Sequence, residues 1–276
     1  MLPPDNDHPE SARADRSQVV SGYMRRWRAI SLQVAVVLAI VLATCWYSGI
    51  LNPAVMINGL PALGQLFMES MPPDFSRAPH WVMPLVDTLA MSIAGTAIAV
   101  LFSVPLGFLA ARNTSPHPVI FYLARTLLNG LRAIPELIMG IIFVAAVGFG
   151  ILPGVLALGL HSIGMVGKFF AESIEHVDNA PVEATRAAGC SPLQVMVHGI
   201  LPQVLPKFAD VSIYRWEYNF RASTVMGMVG AGGIGFELMS SLRIMDYAQV
   251  MAILLVILAM VTIVDSISGL LRKRFK

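Results

Sequence analysis

Long segments without a charged residue constrain this chain more than any other feature of its sequence. Residues 29–50 form one such segment of 22 residues, and residues 88–111 form another of 24. A helix of 22 residues is about 33 Å long, at about 1.5 Å per residue, and can cross the hydrocarbon core of a bilayer. The first segment is also longer than the apolar part of a typical signal peptide. It is therefore predicted to be a membrane anchor.

The composition agrees with a lipid environment. The 276 residues are 56% hydrophobic and 13% charged, and the mean hydropathy is +0.68. Soluble domains carry about 25% charged residues. A water-soluble chain this apolar would expose large patches and aggregate. The formal net charge of +2 gives no indication of nucleic-acid binding.

A helical hairpin is predicted in the middle of the chain. Residues 137–167 carry no Asp, Glu, Lys or Arg, which is too long for one span and short for two. Gly150 and the Pro-Gly pair after it predict a tight turn in the middle of this segment. The first arm of the hairpin is therefore expected to begin near residue 119, and the second arm to cover about 154–170.

Six membrane spans account for the whole pattern. A fifth span is predicted over 207–229 and a sixth, uncharged, over 247–264, whereas 51–83 is predicted to be a loop with a short surface helix near 60–68. The tails and even-numbered connections hold fourteen Lys and Arg residues, and the opposite side holds Arg77 and Arg243. Cytoplasmic loops are enriched in Lys and Arg, so both termini are predicted to be cytoplasmic.

The predicted domain organisation follows from these spans. It comprises a cytoplasmic tail (1–28), the first span (29–50), and a membrane domain (84–276) with a cytoplasmic coupling segment (168–206).

Motifs of catalysis and nucleotide binding are absent from the sequence. Gly167-Lys168-Phe169 lacks the hydroxyl and the glycine spacing of a phosphate-binding loop. No HExxH, GxSxG or CxxC occurs either. The sequence therefore predicts a chain that is not an enzyme, with no catalytic residues, no metal site and no cofactor.

The most informative motif lies between the fourth and fifth predicted spans. It comprises Glu183-Ala184-Thr185-Arg186-Ala187-Ala188-Gly189 and, further on, Gly199-Ile200-Leu201-Pro202. This segment resembles the "EAA" coupling motif of binding-protein-dependent ABC importer permeases, in which EAA is followed by Gly, Ile and Leu-Pro. The residues that match in register are Glu183, Ala184, Gly189, Leu201 and Pro202.

Two positions depart from the family pattern. Thr185 replaces the second alanine, and Gly199 stands where isoleucine is usual, so Ile200 is the candidate for that role. The resemblance implies a short helix that docks on an ATPase. Gly189 would end this helix without a Cβ penalty, and Glu183 would offer a charge to an arginine of the partner. Outside the six-span context, the same segment would indicate an ordinary solvated loop.

Over about residues 84–275 the chain is also similar to phosphonate importer permeases. The pieces that carry this similarity are Arg132-Ala133-Ile134-Pro135-Glu136, Tyr214-Arg215-Trp216-Glu217-Tyr218-Asn219, Arg221-Ala222-Ser223-Thr224 and the run from Gly227 to Gly235. A similar glycine-rich turn occurs in methionine permeases, so the arginine-bearing fifth span is more selective. The candidate gate or turn residues are Gly230, Gly232, Gly233 and Gly235.

Ionisable residues inside spans are functional candidates, because each costs about 3 kcal/mol or more unless paired. The candidate substrate-path residues are Arg132, Arg215, Asn219, Arg221, Ser223 and Thr224. The arginines either meet an anion or pair with Glu136 and Glu217 to lock the bundle. Residues four apart share a helix face. Glu217 and Arg221 can therefore pair, and Arg215 is the better candidate for an anion.

The conclusion from the sequence is an all-α, polytopic bundle of six transmembrane helices with the fold of a type I ABC importer permease. The resemblance implies a homodimer in the bacterial inner membrane, an ABC ATPase and a periplasmic or extracellular substrate-binding protein as partners, and a phosphonate or related phosphorus oxyanion as substrate. The alternatives are a permease for another solute such as methionine, and a stand-alone secondary transporter with its own coupling-ion site.

The charge asymmetry makes a prediction about topology. In a variant without Cys45 and Cys190, single cysteines at Ser76 or Arg243 should react with an impermeant thiol reagent added outside the cell. A cysteine at Ser191 should react only after the membrane is opened, because the coupling segment is predicted to be cytoplasmic. Labelling of residue 191 from outside would overturn this topology.

Overall fold

The structure is a computed structural model that describes residues 9–274 and divides into two compact units, with the boundary between residues 68 and 69. The first unit contains α1 (Pro9–Tyr47) and almost all of α2 (Pro53–Glu69). The part of α1 from Arg26 to Tyr47 is long and apolar enough to cross a membrane. The helix α2 has 17 residues and is therefore longer than the short helix predicted near 60–68.

The second unit is a helical bundle. Its helices are, in chain order, α3 (Val82–Ala110), α4 (Pro118–Ala133), α5 (Glu136–Val147), α6 (Ile151–Glu175), α7 (Asn179–Ala187), α8 (Pro192–Val195), α9 (Leu201–Met226), α10 (Ile234–Arg243) and α11 (Tyr247–Lys273). A π-helical turn, Met196–Ile200, joins α8 to α9, and a 3-10 turn, Gly227–Val229, follows α9. No β-strand occurs between residues 9 and 274.

Four to six stretches of the described chain can cross a membrane. The four single stretches are Arg26–Tyr47, Ala78–Ala110, Ile151–Glu175 and Tyr247–Lys273. Two bent pairs raise the number to six: α4 with α5, and Pro192–Val229 with α10. The predicted all-α bundle is thereby confirmed, with the fourth and sixth spans as single helices.

The first arm of the predicted hairpin is not one continuous helix. The axes of α4 and α5 are bent by 85° at the break between Ala133 and Glu136. Ile134 is extended, with φ −86° and ψ 122°, because the ring of Pro135 disfavours helical geometry in the residue before it. The bend brings Glu136, the first residue of α5, toward the interior of the unit.

Two other helix boundaries, the end of α6 and the start of α9, differ from the prediction. The helix α6 continues to Glu175, well into the polar segment that was predicted to begin at Lys168. The helix α9 begins at Leu201 rather than near Lys207, so Leu201 and Pro202 form its first turn. Proline is well tolerated there, because the first N–H groups of a helix have no partner within it. The connection between the two helices covers residues 176–200 and lies within the predicted coupling segment.

Close packing of α3 against α6 forms the centre of the second unit. A Cβ atom placed on Gly95 would lie 3.0 Å from the Cβ of Leu158, and one on Gly107 would lie 2.9 Å from the Cβ of Phe170. On α6, a Cβ on Gly159 would approach Ile98 at 3.2 Å. Small residues of this kind allow membrane helices to approach closely, which is the main source of their association in lipid.

An apolar cluster holds together the end of the bundle that carries α7. Phe170 of α6 stacks on Phe208 of α9 with ring centroids 3.7 Å apart. Ile174, Val182 and Ile200 belong to the same buried cluster, which joins α6, α7 and the π-helical turn. Large apolar side chains on the outer surface of the unit are exposed, as expected for a lipid-facing bundle: Leu101, Ile141 and Leu258 are examples.

The contact between α4 and α6 generates a prediction about stability. A Cβ on Gly164 would lie 2.7 Å from the carbonyl oxygen of Leu128 and 2.8 Å from the backbone nitrogen of Arg132. Because backbone atoms cannot rotate away, Gly164→Ala should cost about 1–3 kcal/mol, as overpacking does elsewhere. The melting temperature of the purified protein should fall accordingly.

The control is Gly269→Ala on α11, where a new Cβ would meet nothing within 4 Å in this chain. Alanine is the better helix former by about 1 kcal/mol, so this variant should melt at or above the temperature of the parent. Equal melting temperatures for the two variants would contradict the proposed tight contact.

Candidate functional site

The predicted coupling helix is α7, which lies between α6 and α9 at one end of the bundle. The carboxylate of Asp178 caps its N-terminus by accepting a hydrogen bond from the Ala180 N–H at 3.0 Å. Val182 is buried beneath the helix, whereas Glu183 and Ala184 are exposed. One face of α7 is thus anchored in the bundle, and the face with the motif residues is open to a partner.

Gly189 follows α7 in the left-handed conformation, with φ +81°. Its N–H donates a hydrogen bond to the Arg186 carbonyl at 2.9 Å, which satisfies one of the last carbonyls of the helix. A Cβ at this position would meet nothing within 4 Å. The requirement for glycine here therefore comes from the backbone conformation, and not from crowding within this chain.

The two departures from the family pattern lie against each other. A Cβ on Gly199 would be 2.9 Å from the hydroxyl oxygen of Thr185 and 3.4 Å from the Cα of Val182. The Thr185 hydroxyl donates to the Val182 carbonyl at 2.8 Å. The larger side chain on α7 is thus accommodated by the smaller one in the π-helical turn, and Ile200 is buried beside them.

A chain of buried polar side chains joins α9, α6 and α3. Arg215 Nε donates to Ser162 Oγ at 2.8 Å, and Ser162 Oγ donates to Asn219 Oδ1 at 3.1 Å. Asn219 Nδ2 then donates to Thr96 Oγ1 at 2.9 Å. Arg215 is 4% exposed, and Asn219 and Ser162 are fully buried. Arg215 and Asn219 are four residues apart on one face of α9. That face points into the bundle, where both residues bind the same serine.

A cavity of about 290 Å³ opens beside these hydrogen-bonded side chains, at the break between α4 and α5. Its polar lining consists of Glu136, His161 and Tyr218. The Tyr218 hydroxyl donates to Glu136 Oε1 at 3.1 Å, and the His161 ring contacts the Ile134 carbonyl through Nδ1 at 3.1 Å. The guanidinium of Arg215 lies 4.3 Å from the Tyr218 ring centroid, in a cation–π contact behind the cavity wall.

Arg221 belongs to a different group of charges, between α9 and α11. Its Nη2 bonds to Glu217 Oε1 at 2.9 Å, as the four-residue spacing predicts, and its Nη1 bonds to Asp265 Oδ1 at 2.8 Å. Arg272 bonds to Glu217 Oε2 at 2.9 Å. Each contact is a short charge-assisted hydrogen bond. Two acids and two arginines thereby neutralise one another in a fixed arrangement.

The other candidate path residues are placed apart from the cavity. Arg132 is exposed at the end of α4. The Ser223 hydroxyl donates to the carbonyls of Phe220 and Thr88, and the Thr224 hydroxyl donates to the Arg221 carbonyl. Both hydroxyls are therefore used in backbone contacts. No contact described for these three residues supports a role in a substrate path. That role stays a prediction.

The glycine-rich turn connects α9 to α10 by a tight, left-handed path. Gly230, Gly232 and Gly233 have φ values of +98°, +76° and +73°. A Cβ on Gly235 would overlap the carbonyl oxygen of Thr224. The Gly230 carbonyl accepts a hydrogen bond from the Gly150 N–H at 3.2 Å, so this turn also meets the turn of the hairpin. A gating role of the four glycines stays a prediction.

Several functional neighbours were missed by sequence reasoning. Ser162 and Tyr218 were not among the candidates, and the pair of Asp265 with Arg221 was not predicted. A polar residue inside an apolar span is the signal that could have found Ser162. Within residues 9–274, no group of three His, Cys, Asp or Glu side chains is placed to hold a metal ion.

The surroundings of Arg221 and Arg132 generate a prediction. Arg221→Gln should lower the amount of protein in the membrane, because Glu217 and Asp265 would lose a shared partner. Breaking a buried ion pair costs about 3 kcal/mol. The cost is smaller here, because the Arg221 side chain is 41% exposed. Arg132→Gln is the matched control and should leave the amount unchanged. Quantitative immunoblotting of membranes measures both, and equal amounts of the two variants would contradict the structural role of Arg221.

Comparisons with known proteins agree with this geometry. The family model "Binding-protein-dependent transport system inner membrane component" matches residues 103–276. The phosphite transport system permease protein PtxC of Stutzerimonas stutzeri is 69% identical over 261 residues, which are 95% of each chain. The phosphate-import permease protein PhnE of Mycolicibacterium smegmatis is 42% identical over 221 residues, which are 80% of this chain and 42% of that protein.

A solved structure supports the fold. An inward-facing form of the MetNI methionine ABC transporter superposes with a TM-score of 0.63 at 20% identity, over 71% of this chain and 96% of that chain. This likeness confirms the predicted type I importer fold. Family membership implies an ABC ATPase and a substrate-binding protein as partners, and it confirms a transport subunit rather than an enzyme. The chain belongs to the inner membrane components of binding-protein-dependent ABC importers.

Proposed function

We propose that this chain is the permease through which an ABC importer takes up a phosphorus oxyanion, either phosphite or a phosphonate. The observation that carries this proposal is the 69% identity, over 95% of both chains, to a permease named for phosphite. The methionine alternative rests on a likeness of fold at 20% identity and is therefore less supported.

The charge in the interior of the bundle suits such a substrate. Arg215 is a buried cation beside an open cavity, and a guanidinium matches the oxygens of a phosphorus oxyanion in geometry and charge. The cavity of about 290 Å³ is at the small end of ligand sites.

We further propose a homodimer with both termini in the cytoplasm. The Lys and Arg asymmetry of the sequence supports this orientation. Arg125 and Glu175 form a salt bridge at the same end of the bundle as α7, which is consistent with a charged cytoplasmic end. The cavity lies between α5 and α9, and Leu137 and Val225 of its lining are exposed. A second copy across this face would enclose the translocation path.

In this proposal, ATP-driven closure of the ATPase pair moves the α7 helices of the two copies toward each other. Because the π-helical turn joins α8 to α9 without a loop, a displacement of the coupling segment acts directly on α9. This helix carries Arg215 and Asn219 and ends at the glycine-rich turn. The path thereby alternates between inward-open and outward-open forms.

Uptake by the complete importer tests the substrate. Proteoliposomes that contain this permease with its ATPase and binding protein should take up radiolabelled phosphite when ATP is enclosed on the ATPase side. Unlabelled phosphite or methylphosphonate should compete, because the proposed site recognises the charged oxygens on phosphorus. Methionine is the control and should not compete. Uptake of methionine without uptake of phosphite would overturn the proposed substrate.

Gly189 tests the coupling role. Gly189→Trp should abolish ATPase stimulation and transport while membrane insertion remains intact, because its side chain would project into the space proposed for the ATPase. Gly189→Asn is the matched control, since asparagine tolerates a positive φ at a helix end and is smaller. It should retain more stimulation than the tryptophan variant. Normal stimulation in Gly189→Trp would count against α7 as the coupling helix.

A further inference from the structure

Among the arginine–carboxylate pairs between helices in residues 9–274, the pair formed by Arg215 and Glu136 differs from the others. Arg215 Nη2 and Glu136 Oε2 are 3.8 Å apart, and neither atom has a hydrogen-bond partner in the described structure. In the cluster around Arg221, by contrast, the contacts are hydrogen bonds of 2.8 to 2.9 Å. A pair that served only to lock the bundle would be expected to close to that distance. The two groups attract each other without binding firmly.

The Glu136 carboxylate occupies a position that suits an anion. The Arg215 guanidinium lies 3.8 Å away. Glu136 is also the first residue of α5, where the backbone N–H groups and the helix dipole favour negative charge. Arg215 itself is fixed, since its Nε is bonded to Ser162 and its guanidinium rests on the Tyr218 ring.

The carboxylate is also free to leave this position. The Glu136 side chain is 20% exposed, against 5% for Arg215, and it faces the cavity. One hydrogen bond, from the Tyr218 hydroxyl, holds it in the structure. The residue follows the break at Ile134–Pro135, so it is not fixed by a preceding helical turn. Rotation of this side chain into the cavity would uncover Nη2 of Arg215.

We infer that Glu136 is a built-in substitute for the transported anion: its carboxylate covers Arg215 in the resting permease, and a phosphorus oxyanion takes its place during transport. This inference rests on the proposed function and adds the site to it. The incoming oxyanion would be held by Arg215 Nη2 and by the N-terminus of α5. The carboxylate prevents weakly bound anions from occupying the cationic site between transport cycles.

Two measurements on the complete importer test this inference. The first is equilibrium binding of radiolabelled phosphite to the purified permease–ATPase complex without the binding protein. The second is phosphite uptake by proteoliposomes, normalised to assembled complex. The variants are Glu136→Gln, Arg215→Gln and the double variant. Glu237→Gln on α10 is the control, because it removes one negative charge at a position outside the cavity lining.

We expect Glu136→Gln to bind phosphite at least about ten-fold more tightly than the parent and the Glu237→Gln control. Arg215→Gln should lose both binding and most normalised uptake. The double variant distinguishes an anion-binding role of Arg215 from a purely structural ion pair with Glu136. With both charges removed, the complex should assemble as the parent does, but uptake should stay as low as in Arg215→Gln alone.

Recovery of uptake in the double variant would overturn the inference, because it would show that the pair only balances charge. Unchanged affinity in Glu136→Gln would overturn it as well. If Glu136→Gln does not assemble, Tyr218→Phe replaces it, since this change removes the hydrogen bond to Glu136 and keeps the ring under Arg215. The affinity of Tyr218→Phe for phosphite should also rise. No rise would overturn the inference. Failure of the parent importer to take up phosphite would instead refute the proposed function.

Discussion

In the second unit, α3 and α6 approach each other through facing glycines, and the remaining helices are arranged around this contact. Helices in lipid gain little from apolar burial, so close backbone packing and hydrogen bonds hold them together. Gly95 and Gly159 remove the side chains that would separate the two helices. Thr96 and Ser162 then both reach Asn219, so the third helix, α9, is attached by buried hydrogen bonds.

This attachment gives the two arginines of α9 different surroundings. Arg215 faces inward and meets the polar side chains of α6, together with Glu136 beyond the break after α4. Arg221, on another face, meets α11 and is neutralised by two acids. An arginine with short bonds to both carboxylates is held in place, whereas one with a loose partner beside a cavity can exchange that partner for an anion. The same residue type thus supports two separate roles.

A single helix also joins the two candidate sites. The first turn of α9 contains Leu201 and Pro202 of the coupling motif, its middle carries Arg215, and its end leads into the glycine-rich turn. A rigid helix transmits a displacement along its whole length. An ATPase that moves α7 would therefore shift the wall of the cavity relative to α5, which is the kind of rearrangement that exposes a site first to one side of a membrane and then to the other.

The sequence by itself determined the all-α class and the apolar stretches, of which four to six can cross a membrane, because each of these is a local pattern of charge, length or spacing. It also indicated the Glu217–Arg221 pair, which lies within one helix. Only the tertiary structure decided the partners of Arg215, since Ser162 is 53 residues away and the meeting depends on how α6 and α9 are rotated. The tertiary structure also decided the contact of Thr185 with Gly199 and the 85° bend at Pro135. Contacts between helices depend on rotation and depth in the bundle, and a linear pattern does not specify either.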